Sequence, residues 1–286
     1  MIESIGEEAF NFQDERFADI QMLRYRLPDF ESLTIRQKQL IYCLSEATLF
    51  GRDITFDQFG KYNLRIRKTL EAVYLNFNGD RLEHNFRALE EYLKHVWFAS
   101  GIYHHYACDK FSPLFTEDFF RNEVLAIDSK LLPLNDGESV TSLLNELCPV
   151  IFDPTILPKR VDKSDGKDIV RSSACNYYDG VSQYEVEEFY AKLKKDGPTS
   201  EAPSYGLNST LVKEGDSIRE DVWKLGGKYN AAIEKIVYWL NRAKDFVEND
   251  QQLHVINLLI RYYETGDLHD FDIYSIEWLR EQEGRI

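Results

Sequence analysis

The chain has 286 residues, with 49 acidic against 34 basic side chains and a formal net charge of −15. That balance excludes a dedicated nucleic-acid binder, whose affinity for phosphate rests on clustered lysine and arginine. No apolar run reaches the length of a membrane span, and 8 Pro and 15 Gly are too few for a mainly disordered chain.

Residues 1–30 read as an acidic, aromatic arm ending at Leu27-Pro28-Asp29. The start, MIESIGEEAF, lacks the basic region and apolar stretch of a signal peptide, so a cytoplasmic location is expected. A first helix follows Thr34, with Gln37 as its capping-box partner and a stripe of Leu40, Ile41, Leu44 and Ala47, and Gly51 ends it. Helical spacing of Tyr62, Ile66, Leu70, Val73, Tyr74 and Phe77 predicts one helix over about 56–77. Asn78-Gly79-Asp80 turns the chain into a third helix carrying Phe86, Leu89, Leu93, Val96 and Trp97, which breaks at Gly101.

Thr116-Glu117-Asp118 opens a helix with Phe119, Phe120 and Leu125. Over 128–180, four prolines and a polar run predict strands and loops around one amphipathic piece near 140–147. Ser182 with Glu185 starts a helix through Lys195, stopped by Gly197-Pro198. Residues 207–213 and 217–225 flank Glu214-Gly215-Asp216 as a β-hairpin. Three helices close the chain, over about 228–248, after Asn249-Asp250 and after Gly266-Asp267. The fold class is therefore α+β and predominantly helical. Its regions are the arm, a helical region at 31–135, a mixed region with the hairpin at 136–226, and carboxy-terminal helices at 227–286.

Chemistry concentrates at 101–113, GIYHHYACDKFSP. Here helical packing stops and side chains are presented. His104 and His105 are adjacent and diverge on a helix or a strand, and Asp109 adds only one further candidate ligand, which is short of a metal site. No HExxH occurs, and no GxSxG. Cys108 lies three and four residues from the histidines, so a thiol–imidazole pair is chemically conceivable, although a passive thiol is the simpler reading. Cys43, Cys148 and Cys175 are scattered and form no CxxC. Asn208, in a Tyr-Gly-x-Asn turn before the hairpin, offers amide donors to a peptide or is an ordinary turn residue. Composition and periodicity alone favour a non-catalytic helical module that binds peptides or proteins.

Six stretches add a resemblance: FADIQMLRYRLPDFESL, QKQLIYCLSEATLFGRDI, YNLRIRKTLEAVY, YLKHVWFASGIYHHYACDKFSP, PSYGLNSTLVKE and GGKYNAAIEKIVYWLNRAK. In order and together they resemble the amino-terminal part of the dipeptidyl peptidase III family, in its Bacteroidetes branch, over about residues 17–286. The resemblance implies a two-lobed zinc exopeptidase that removes dipeptides from oligopeptide amino termini. This chain would be the non-zinc lobe, with a small β-barrel or hairpin element. The segment 101–113 would form cleft wall, with peptide contacts on His105 and Tyr106; the branch has a histidine where other members have a small hydroxyl residue. His104, Asp109 and Asn208 are further candidate peptide-binding residues. The family's HExxGH and EExRAE-type zinc motifs are absent, and its substrate-anchoring acid and transition-state tyrosine would fall past Ile286. The expectation is therefore a truncated chain, inactive alone, with zinc bound outside it. Its partners would be oligopeptides and the zinc-binding lobe, not nucleic acid or membrane.

Overall fold

The computed structural model describes residues 10–196 and 204–286; the expected stop at Gly197-Pro198 lies outside them. The chain divides into two units, Met1–Thr34 and Ile35–Ile286. In the first, strands β1 (Gln13–Phe17) and β2 (Ile20–Leu23) form an antiparallel hairpin, followed by a short 3-10 turn at Pro28–Ser32.

The second unit is built on three apolar clusters. The largest gathers the inner faces of α3 (Asn63–Asn76), α4 (His84–Ala99), α5 (Glu117–Ala126) and α6 (Val140–Phe152), after α1 (Ile35–Phe50) and α2 (Arg52–Phe59) in the chain. On α4 the buried positions Phe86, Leu89, Leu93 and Val96 recur at helical spacing, and each such side chain contributes about 1.5–3 kcal/mol on burial. Glu83 starts this helix by accepting from the amides of Asn85 and Phe86 at 3.0 and 2.7 Å. The second cluster joins α1 to α9 (Asn230–Ala243) and α10 (Asp250–Thr265) through Leu40, Cys43, Ala47, Ile233, Ile236, Leu240, Ile256 and Ile260. Helix α11 (Leu268–Arg280) packs along α10. The smallest cluster holds Val181, Val186 and Leu211, between α8 (Gln183–Asp196) and the sheet; α7 (Ile169–Ser172) is a single turn.

The sheet consists of β3 (Tyr178–Asp179), β4 (Ser209–Glu214) and β5 (Ser217–Val222), in the order β3-β4-β5. Strands β4 and β5 form the expected hairpin, pairing Leu211 with Glu220 and Glu214 with Ser217. Among the described residues the strands form this sheet and the β1-β2 hairpin, not a closed barrel. Three strands, one of two residues, cannot curl to closure. The α+β, mainly helical class holds, with helices at 55% of the described residues.

Two element expectations need correction. The helix read as 56–77 is broken at Gly60-Lys61-Tyr62, so α2 and α3 are separate. A β-carbon on Gly60 would lie 2.8 Å from the Asn63 side-chain nitrogen, because that amide folds back over the turn. Within 128–180, α6 runs to Phe152 through Pro149, which gives up only one helical hydrogen bond near the helix end.

Helix α8 begins with the reciprocal cap read from the sequence. Glu185 accepts from the Ser182 amide at 2.8 Å, and the Ser182 hydroxyl faces the Glu185 amide at 3.3 Å. The other Glu185 oxygen accepts from Lys213 Nζ on β4 at 2.5 Å. The Lys213 ammonium, then the Ser182 amide and hydroxyl, hold this carboxyl down at about 2. A depressed carboxyl stabilises the fold above its unfolded value, and that stability is lost as pH falls through the folded one. Glu185→Gln is therefore expected to flatten the fall in melting temperature between about pH 4.5 and pH 2. Identical acid slopes for the two proteins would refute this role.

Candidate functional site

The segment 101–113 is held by its neighbours on three sides. Its entry is anchored in the largest core, with Ile102 and Tyr103 buried. Ser100 caps α4 in the left-handed conformation, and Gly101 follows at φ +153°. The two arms pair as Tyr103 with Lys110, and the Phe111 amide reaches the Ile102 carbonyl at 2.8 Å.

Inside this small loop, His104 turns inward. Its backbone amide donates to the Asp109 carbonyl at 2.8 Å, and its carbonyl accepts from the Cys108 amide at 3.0 Å. Its ring Nδ1 accepts from the amides of Tyr106 and Ala107 at 3.2 and 3.0 Å. That nitrogen is therefore occupied as an acceptor and closes the turn. The His105 ring stacks on His104 at 4.5 Å and meets Phe98 edge-on at 4.9 Å. Tyr106 tilts against His105 at 4.3 Å and is 86% exposed.

Two cations brace the loop from behind. Lys110 Nζ donates to the carbonyls of Val150, Asp153 and Ile156, at 2.9, 2.5 and 2.6 Å, at the end of α6. Arg160 lies 4.5 Å over the Phe59 ring and donates to the His105 carbonyl at 3.2 Å. Its backbone amide bonds the Cys108 carbonyl at 2.8 Å. Asp109 pairs with Lys159 at 3.4 Å, both side chains being largely solvated; such a pair is worth at most about 1 kcal/mol.

The structure thus brings His104, His105 and Tyr106 into one aromatic row, with Asp109 beside it. Asn208 is elsewhere. It is 4% exposed, and its side-chain amide donates to the Gly266 carbonyl, at the end of α10, at 2.8 Å. Its own carbonyl accepts from the Trp223 amide at 2.8 Å. In this state its amide donor holds a helix end. Lys110 and Arg160 escaped the sequence reading, since their partners lie some 40 to 55 residues away and leave no local signal.

The site does not fit a zinc ion. Among the described residues no three His, Cys, Asp or Glu side chains converge as a metal site, and the His104 Nδ1 lone pair is already used. The Cys108 thiol, in a residue at φ +63°, donates to the Tyr106 carbonyl at 3.7 Å and lies 3.6 Å from an Arg160 nitrogen. Its partners are thus a carbonyl and a guanidinium, not an imidazole.

Residues 200–286, under a third of the chain, match the model of peptidase family M49. The fold resembles a solved structure described as DPP III from Caldithrix abyssi, with a TM-score of 0.53 at 15% identity. That match covers 90% of this chain and 35% of the neighbour, so the chain spans about a third of the neighbour's length. No curated protein matches in sequence. The carboxy-terminal part of the chain is thus similar to M49 peptidases, and the fold is similar to part of a DPP III.

No helix among the described residues is long and apolar enough to cross a membrane.

Proposed function

We propose that this chain is the substrate-binding lobe of a zinc-dependent dipeptidyl peptidase, and that it presents cleft wall to the amino-terminal part of an oligopeptide. One observation supports this most: Tyr106 is 86% exposed at the tip of a loop whose base is buried and whose backbone is clamped by Lys110 and Arg160. An exposed aromatic on a braced loop loses little conformational freedom on binding, which is what a recognition surface requires. His105, fixed between Phe98 and His104, forms the floor beside it.

Hydrolysis is assigned to a zinc site outside this chain. Cleavage needs a metal or another group to activate water, and an acid to move protons. The lobe supplies binding and orientation, with the zinc-binding lobe as its partner.

The test is calorimetric titration of the purified chain with a short peptide, with and without zinc, beside Tyr106→Ala. Binding is expected to be independent of zinc, to weaken roughly tenfold in the variant, and to proceed without dipeptide release. Dipeptide release by the metal-loaded chain, or unchanged affinity in Tyr106→Ala, would overturn the reading.

A further inference from the structure

We propose that the recess beside Tyr106 is a carboxylate subsite, which gives the peptide-facing surface a preference for peptides carrying a negative charge. The proposal rests on the peptide-binding reading above and adds a substrate class to it. The recess, of about 510 Å³, is lined by Tyr106, Cys108, Lys159, Val161, Lys163 and Ser164, together with Ala107. No acidic side chain lines it, in a chain whose net charge is −15. A pocket with the opposite sign to the rest of the surface is a local selection device, not a consequence of composition.

Two of the neighbouring carboxylates are already engaged. Asp162 is 2% exposed, takes the Lys167 ammonium at 2.8 Å, and accepts from the Ser164 hydroxyl at 2.6 Å. Asp109 stands 3.4 Å from Lys159 and offsets part of its charge. Lys163 forms no ion pair among the described residues. The recess therefore carries one ammonium that forms no ion pair among the described residues, a second that is partly compensated, and an apolar wall from Val161 and the Tyr106 ring. A carboxylate borne on one or two methylenes fits that combination. Asp109, read from sequence as a peptide contact, here pairs with Lys159 at 3.4 Å.

The carboxylate comes from an acidic side chain or from the carboxy terminus of a short peptide, and the test separates the two. Titrate the purified chain, at low ionic strength, with tetra-alanine amide, with amides bearing one glutamate at the second, third or fourth position, and with tetra-alanine as the free acid. At least one carboxylate peptide is expected to bind about fivefold more tightly than tetra-alanine amide, and the advantage is expected to shrink in high salt. Lys163→Glu is expected to reverse the order within that pair. A tighter glutamate amide assigns the site to a side chain; a tighter free acid assigns it to the peptide end. Equal affinities across the series, or a preference that survives Lys163→Glu, would overturn the subsite while leaving the peptide surface intact. If neither tetra-alanine amide nor any carboxylate peptide binds, the peptide-binding reading falls, and the subsite falls with it.

Discussion

Gly101→Ala is expected to destabilise the Ile35–Ile286 unit by about 3 kcal/mol, lowering its melting temperature by roughly 6–12 °C. Two causes act at once. The residue sits at φ +153°, where a side chain is strained. Its added β-carbon would also lie 2.2 Å from the Asn63 side-chain nitrogen. Asn63 cannot easily retreat, because it is 1% exposed, its Oδ1 accepts from the Ile102 amide at 3.3 Å, and Gly60 bounds it on another side. Two glycines some forty residues apart thus form the slot for one buried amide, and that amide ties the start of α3 to the entry of the loop carrying Tyr106. Thermal unfolding followed by circular dichroism measures the effect. In an Asn63→Ala background the clash disappears and the backbone strain remains, so the same substitution is expected to cost about 1–2 kcal/mol less there. A drop below about 2 °C in the otherwise unmodified chain would show that the loop entry adjusts freely.

The same slot explains what could be read in the sequence and what could not. Helices with local signatures were legible. Thr116 caps α5, Ser182 and Glu185 cap α8, and the turn at Gly215 joins β4 to β5. Each is decided by residues within four positions of one another. The break between α2 and α3 was not legible, since the apolar spacing from Tyr62 onward continues the helical phase, and the reason for the break is an Asn63 side chain wedged against Gly101. The candidate site divides in the same way. Its location followed from the end of α4 and the run of aromatic and titratable residues. The direction of each side chain did not, because His104 is turned inward by hydrogen bonds to amides two and three residues on, and Asn208 is drawn to a carbonyl 58 residues away. The M49 match, over residues 200–286, lies entirely outside the 101–113 segment that carries the proposed peptide contacts.

Lys110→Met is the second large effect, with an expected loss of about 2–4 kcal/mol from three hydrogen bonds donated by a charged group. The three acceptors, Val150, Asp153 and Ile156, include carbonyls at the end of α6, where the helix has no amides left to offer. An ammonium there both satisfies the carbonyls and complements the negative end of the helix. Methionine keeps the length of the stem but supplies no donor, so the last turn of α6 should fray and amide protection at 104–111 should fall in hydrogen exchange. Burial holds the Lys110 ammonium below the ordinary lysine value of 10.5, against the opposing pull of Asp153. The unfolded chain then binds this proton more tightly than the folded one, so this group makes stability rise with pH in the window just below 10.5. Lys110→Met should lack that rise, and its deficit relative to the unmodified chain should widen across the same window. An unchanged midpoint in urea together with unchanged exchange at 104–111 would show that the loop is held without Lys110, and the account of a braced recognition loop would then rest on Arg160 alone.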